Sequence, residues 1–246
     1  MAMSASEKYF ETVTQQLASI RKTQMPAIHA AGERFAKAIE QGGWIYVFGT
    51  GHSHMIAEEL FYRAGGLARI RPMLHPGLML HESASESTLL ERDPALVDSL
   101  LDEYPIAKND VLLIASNSGR NPVPVELAMR TQAAGVPVIA LLNTCHSAGV
   151  ESRHASGQKL GDVVELVIDN CGVEGDACVD VPGHPGAIGA ASTVTGGMIV
   201  QMIACHTVDL LAAAGSFPES FCSSNAGAGD QNEVLLDRYR TVVKHL

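Results

Sequence analysis

Charge is scarce in this chain and positive charge scarcer still. Charged residues make up 18% of its 246 positions, with 17 Lys and Arg against 27 Asp and Glu for a formal charge of −10. Proteins that grip nucleic acid do so with clustered Lys and Arg, so this balance argues against nucleic acid as a partner. An anionic ligand must instead be held by local means: helix N-termini, hydroxyls and one or two nearby cations. The five cysteines, at 145, 171, 178, 205 and 222, are odd in number and include no CxxC pair. They read as reduced thiols. No run of about 18 apolar residues is present to span a bilayer. The opening MAMSASEKYFE lacks the apolar centre of a secretory leader. A cytoplasmic protein with no membrane partner is the expectation. Internal repeats and low-complexity segments are also missing.

What the chain does have is apolar residues, 46% of the total, slightly more than most soluble proteins need, which an oligomer interface would explain. They are concentrated most tellingly in WIYVFGTGHSHMIAEEL, residues 44–60. Trp44 to Phe48 form a continuous apolar run rich in β-branched and aromatic residues, as expected of a strand covered on both faces. Gly49-Thr50-Gly51 lets the backbone turn sharply. Ser53 is then placed to cap a helix whose free N–H groups favour an anion. A second stretch repeats the design: Val111 to Ala115 is a short apolar strand, followed by Ser116-Asn117-Ser118-Gly119-Arg120-Asn121 and a helix from about Val125. Ligands of open parallel sheets sit in a crevice at the carboxyl ends of strands, so the two hydroxyl-tipped turns are expected to converge on one ligand.

These two turns carry a resemblance. GTGHS after the first strand and SNSGRN after the later one are similar to the sugar isomerase (SIS) family, whose hydroxyl-rich loops hold phosphosugars; the likeness covers roughly residues 35 to 215. It implies an α/β fold, a parallel-sheet αβα sandwich, and a homodimer or homotetramer. The remainder of the chain is consistent with that. Residues 5–41 have helical spacing, with Pro26 separating two helices and Gly42-Gly43 ending the second, so an N-terminal helical hairpin precedes the sheet. A helix from Ser53 to about Arg63, a strand over 69–74, a loop and short helix over 76–90, a helix over 95–107, and strands over 136–142 and 163–168 follow. Strand, helix and strand at this spacing form right-handed βαβ units. The polar connection 143–162, about 20 residues long, exceeds what a sheet crossing needs and reads either as a lid offering Arg153, His154 and Lys159 or as a loop carrying them in solvent. Residues 172–189 read as loop, 192–214 as one long apolar helix, 221–232 as a turn-rich segment able to cap a pocket, and 233–243 as a closing helix. The whole of 1–246 reads as one domain, with helices over 1–42, the αβα core over 43–215 and a tail with its helix over 216–246.

The resemblance also suggests chemistry. Phosphoheptose isomerases of this fold carry an AEEL sequence in which the second glutamate is an acid/base residue; Ala57-Glu58-Glu59-Leu60 matches, making Glu59 the candidate, although the run from Ser53 to the glutamates is about one helical turn shorter here. Glu58 and Glu59 lie about 100° apart on a helix, so one of them is expected in solvent. The same enzymes place a catalytic, sometimes zinc-ligating histidine on the late helix, with a glutamine two turns earlier. Here aligning on Gln201 puts Asp209 at the histidine position, and aligning on His206 puts Met198 at the glutamine position. Whether a metal is bound is left open, and no nucleotide cofactor is implied.

Aldose–ketose isomerisation needs a base at carbon and a proton relay between oxygens. Glu59 fits the first role and His206 or Glu82 the second. Gly51, His52, Ser53, Ser116, Asn117, Ser118, Gly119, Arg120 and Asn121 would bind the substrate, an anionic sugar bearing a phosphate or a sulfonate. Two other functions use the same parts: an amino-sugar phosphate lyase or etherase, and a non-catalytic module that senses a phosphosugar.

Overall fold

The computed structural model describes residues 3–225 and 231–246. Two helices open the chain, α1 (Ala5–Thr23) and α2 (Met25–Glu40), with only Gln24 between them. Ser4 and Glu7 form a capping box at the start of α1, and Pro26 sits in the first turn of α2, where a missing N–H costs nothing. Five short strands follow: β1 (Ile45–Gly49), β2 (Ile70–Met73), β3 (Val111–Ala115), β4 (Val138–Leu142) and β5 (Leu166–Asp169). They pair in the order β2-β1-β3-β4-β5 and every pairing is parallel. The helices between them are α3 (Met55–Leu60), α4 (Leu80–Leu90), α5 (Leu96–Glu103), α6 (Pro122–Ala133), α7 (Thr144–Ala148) and α8 (Leu160–Val163). The chain finishes with β6 (Ala177–Val179), β7 (Ile188–Ala190), α9 (Ser192–Ala213) and α10 (Gln231–Tyr239).

Alternating strand residues feed two cores, which is why the central strands read as unbroken apolar runs. Ile45, Val47, Leu113, Ile139 and Ile168 face α2, α3 and α9, while Tyr46, Phe48, Leu112, Ile114 and Ala140 face α5 and α6. At the amino ends of the central strands the buried Asp110 accepts the backbone N–H of Trp44 at 2.7 Å and of Ala107 at 2.6 Å, tying the start of β1 to that of β3.

Several boundaries differ from the sequence expectation. Ser53 does not cap a helix: Gly51–His54 winds as a 3-10 turn entered at Thr50, and α3 begins only at Met55 with no side-chain cap. The helix ends at Leu60 rather than Arg63, because Phe61 is extended and Tyr62 has a φ of 43°. The stretch 172–189 is not all loop, since β6 pairs antiparallel with β7 in a small separate sheet. Within 143–162 the chain forms α7 and folds on itself rather than standing off as a free lid. The turn-rich tail is anchored: Gly65 N–H and Ala68 N–H donate to Phe221 and Glu219 carbonyls at 2.7 and 2.8 Å, and Phe221, Leu235 and Tyr239 pack against Ala68 and Trp44. Residues 226–230 of the segment expected to cap a pocket lie outside the described residues.

Among the described residues α9 alone is long and apolar enough to cross a membrane by length and composition. Gln201, His206 and Asp209 interrupt it, and it packs along α2 and α3 with Ile199, Val200 and Ile203 in the core.

The C-terminus adds a pH dependence. His245 Nε2 meets the Tyr104 hydroxyl at 3.0 Å, and that hydroxyl also receives the Leu74 N–H at 3.1 Å. Burial, followed by the charge of Lys244, lowers the pKa of both His245 and nearby His75 from 6.5. The unfolded chain therefore binds protons that the folded one resists, so this stability is intact above about pH 6.5 and is lost as pH falls below it. Urea midpoints measured between about pH 7.5 and 5 should fall toward acid in the parent and fall less in His245→Gln. Parallel curves for the two proteins would remove His245 from the effect.

Candidate active site at the carboxyl ends of two strands

The strand order reverses direction at β1: the chain goes outward to β2, then returns to place β3 on the other side of β1. A crevice opens at such a switch point because the connections leave the two adjacent strand ends in opposite directions. The turns that end β1 and β3 are the two hydroxyl-bearing stretches, and they meet there. A small cleft of about 20 Å³ is lined by His52 and Ser53 from the first turn and by Ser116 and Asn117 from the second. Sequence reasoning missed the rest of its wall. Asn170 comes from the end of β5, and Ser192 and Thr193 come from the start of α9. A polar tip after an apolar strand was the available signal for Asn170, and a Ser-Thr pair opening an apolar helix for the other two.

Two glycines set this geometry. A Cβ on Gly49 would stand 2.3 Å from the Ser53 carbonyl oxygen, so the first turn can fold back over the strand end only if that position is bare. Gly119 has a φ of +62°, in the left-handed region, and its N–H donates to Ser116 Oγ at 3.2 Å. The second turn thereby curls around the Ser116 hydroxyl. Ser118 does not line the cleft; its Oγ faces the Arg120 N–H at 3.5 Å. Asn117 Oδ1 accepts from Asn170 Nδ2 at 2.9 Å, which fixes one wall. At the start of α9, Asp176 accepts from the N–H groups of Ala191 and Ser192 at 3.1 and 2.8 Å and from the Ser192 hydroxyl at 2.6 Å.

Glu59 lies on the seam between α3 and α9, one turn from the cleft residue Ile56. Its Oε1 accepts from Gln201 Nε2 at 3.0 Å and its Oε2 from Arg63 at 2.6 Å, with the side chain 26% exposed. Glu58 is not simply solvated: it approaches Nε2 of the buried His54 at 3.1 Å, while His54 Nδ1 meets the Gly51 carbonyl at 2.5 Å. His54 therefore fastens the turn to α3, a role the sequence did not suggest. Glu82, on α4, is 60% exposed beside His81. The helix itself packs over the first turn, with Leu80 next to Gly51 and the His81 ring 6.2 Å from that of His54.

His206 is not brought to Glu59. Five positions beyond Gln201 it lies about 140° around the helix. Its ring stacks on His29 of α2 at 4.1 Å over the bare Gly32. The expected pairing of Glu59 with His206 thus fails within this chain, and the helix face decides it. Of the three cations expected from 143–162, two are engaged. Lys159 Nζ donates to the Ser147 and Val150 carbonyls at 2.5 and 3.2 Å, and His154 meets Glu126 at 3.0 Å. Only Arg153 turns to the second loop, where it donates to Asn121 Oδ1 at 2.9 Å.

A SIS-domain family model matches residues 8–143, more than half of the chain, including both turns. The chain belongs to the SIS domain family. Curated relatives span its length: the UPF0309 protein of Listeria innocua is 39% identical over 232 residues, covering 94% of each chain. A UPF0309 protein of Halalkalibacterium halodurans is 41% identical over 233 residues, covering 94% of this chain and 95% of its own. Among solved structures, a phosphoheptose isomerase from Francisella tularensis superposes with a TM-score of 0.53 at 17% identity, covering 83% of this chain and 98% of that one. The Neisseria gonorrhoeae phosphoheptose isomerase gives 0.52 at 17% identity, covering 80% and 94%. At such identities these likenesses establish the fold, which is the αβα sandwich that the two turns implied.

A family-type zinc ion does not fit the residues present. His206 and His29 stack face to face, an arrangement that does not point two ring nitrogens at one ion. Among the described residues no three His, Cys, Asp or Glu side chains are grouped to hold a metal. All five cysteines are free.

Proposed function

We propose that this SIS protein is an aldose–ketose isomerase acting on an anionic sugar. The observation that carries the proposal is the convergence of Ser53 and Ser116, from two separate strand ends, on one cleft at the switch point of the sheet. Hydroxyls and turn N–H groups there supply donors to a phosphate or sulfonate, with Ser118, Gly119, Arg120 and Asn121 on the same loop. Gripping the remote anion positions the reacting carbons. Glu59 is the base: it removes the proton from C2 of the open-chain aldose, leaving an enediol, and returns it to C1 while a proton passes from the C2 oxygen to the C1 oxygen. Gln201 fixes the carboxylate, and Arg63, itself 53% exposed, must swing away before Glu59 takes a proton.

The whole of 1–246 then works as one domain, in a homodimer or homotetramer. A cleft of about 20 Å³ is too small to enclose a sugar, and only 33% of the most apolar stretch of α9 is buried within the chain. A second copy covering that face enlarges and closes the site. His206 keeps the oxygen-relay role in this assembly only by reaching the site of a neighbouring copy, while Glu82 stands on α4, which packs over the first turn of its own chain.

Incubating the protein in D2O with a panel of sugar phosphates and sugar sulfonates tests the proposal. The expected result is ketose formation with deuterium entering the carbon that receives the proton. Release of a substituent would replace isomerisation with elimination, and saturable binding with neither product nor exchange would make the protein a sensor.

A further inference from the structure

Three arginines from distant parts of the chain lie on segments fastened around the second turn. Arg120 belongs to the loop itself, Arg92 follows α4, and Arg153 comes from the connection after β4. Arg153 is fastened there twice, by its N–H to the Arg120 carbonyl at 2.9 Å and by Nη1 to Asn121 Oδ1 at 2.9 Å. The segment carrying Arg92 is held by the Glu91 carbonyl, which accepts the Val123 N–H at 3.2 Å, and by the Glu91 carboxylate, which accepts the Thr50 hydroxyl at 2.7 Å. The group thus bridges the first turn, through Thr50, and the second.

Not every arginine here has a carboxylate partner. Arg34, Arg63, Arg130, Arg238 and Arg240 are each paired with a carboxylate. Among the described residues Arg92, Arg120 and Arg153 have no such pair; of the other arginines without one, Arg69 and Arg71 lie over the Trp44 ring and Arg21 is exposed on α1. Arg120 Nε, like Arg71 Nε, is buried without a hydrogen-bond partner. Partial desolvation, followed by the charges of Arg120 and Arg92, lowers the pKa of Arg153 from the ordinary arginine value, while Glu91 acts the other way. An arginine stays charged at neutral pH even so. A chain of net charge −10 has few cations to place, and gathering three with no carboxylate in ion-pair contact, the nearby Glu91 being turned to the Thr50 hydroxyl, is unfavourable unless an anion joins them.

We infer that Arg92, Arg120 and Arg153 form a guanidinium clamp for the oxyanion of the ligand, a phosphate ester or a sulfonate, adding charge to the hydroxyls of the second turn. The inference rests on the reading of the ligand as an anionic sugar, and assigns its charged end. Asn121 then acts through Arg153, as a positioning residue. Guanidinium groups suit this task because their planar donor forks match phosphate and sulfonate oxygens in pairs.

Binding of inorganic phosphate and of methanesulfonate to the full chain, titrated at constant ionic strength by calorimetry, tests the clamp. The parent should bind at least one of the two saturably, and which one it prefers distinguishes the phosphate ester from the sulfonate. Arg120→Gln and Arg153→Gln should each weaken binding about tenfold or more, Arg153→Lys should recover part of it, and Arg21→Gln, on exposed α1, should change nothing. Arg153 is exposed at the rim, so its replacement keeps the test open even if Arg120→Gln does not fold. Equal affinity in the parent and in Arg153→Gln overturns the clamp, as does a parent that binds neither anion. A Ser116→Ala, Ser118→Ala double variant separates this from the broader reading. If it loses the anion while the arginine variants keep it, the hydroxyl site stands and the clamp falls. If the arginine variants alone lose it, the arginines hold an anion away from the hydroxyl turns, and their assignment to the charged end of the sugar falls.

Discussion

Glu59→Gln is expected to lower turnover of the sugar substrate by about 10²- to 10⁴-fold, the range over which a positioned base contributes, with little change in substrate affinity. The substitution keeps the volume of the side chain and leaves an amide oxygen able to accept from Gln201 Nε2, which now sits 3.0 Å from Glu59 Oε1. It removes the basic oxygen that meets Arg63 at 2.6 Å. Steady-state kinetics on the substrate found in the D2O panel provide the measurement, since a lost base lowers kcat and kcat/KM together. Turnover equal to the parent's would take Glu59 out of the reaction and leave its contact with Gln201 as a structural link between α3 and α9. A large rise in KM with kcat preserved would point to binding in place of proton transfer.

Gly49→Ala is expected to be the most damaging substitution of a single small residue near the cleft. The added Cβ would lie 2.3 Å from the Ser53 carbonyl oxygen, 2.4 Å from its carbon and 2.9 Å from the His54 nitrogen. All three are backbone atoms of the 3-10 turn, so no flexible side chain can yield. The turn must lift from the strand end, and overpacking that displaces backbone costs about 3 kcal/mol. For a chain of this length that corresponds to a fall of about 6 to 12 °C in Tm, measurable by thermal unfolding. Anion binding should weaken with it, because Ser53 moves with the turn. A Tm within a degree of the parent's would show that the turn is not held as tightly against β1 as these distances require.

Much of the fold was legible because the sheet is covered on both faces. A strand with water on neither side must be apolar at every position, so Ile45 to Phe48 and Val111 to Ala115 announce themselves without any alternation. The short strands β6 and β7 had no such signature: Ile188, Gly189 and Ala190 are all exposed, and nothing in an exposed Gly-containing triplet separates strand from loop. The helix start at Ser53 was misjudged for a different reason. A serine after a glycine turn is a sound capping signal when the helix follows freely, but the close approach of Ser53 to Gly49 tightens the chain into a 3-10 turn first. On α9 the failure is one of direction. Its apolar residues surround the axis, so spacing alone could not say that Gln201 faces α3 while His206 faces α2.

The sequence by itself determined where the central strands lie and that two of them end in turns rich in glycine and serine, because those features depend only on local burial and backbone freedom. Tertiary structure alone decided that these turns adjoin, since strand order is set by how the βαβ crossovers pack and not by spacing along the chain. The same packing paired Glu59 with Gln201, turned His206 away toward His29, and fastened Arg153 to Arg120 and Asn121. Each of those contacts joins residues far apart in the chain, and a contact between distant residues leaves no periodicity in a single sequence from which it could be read.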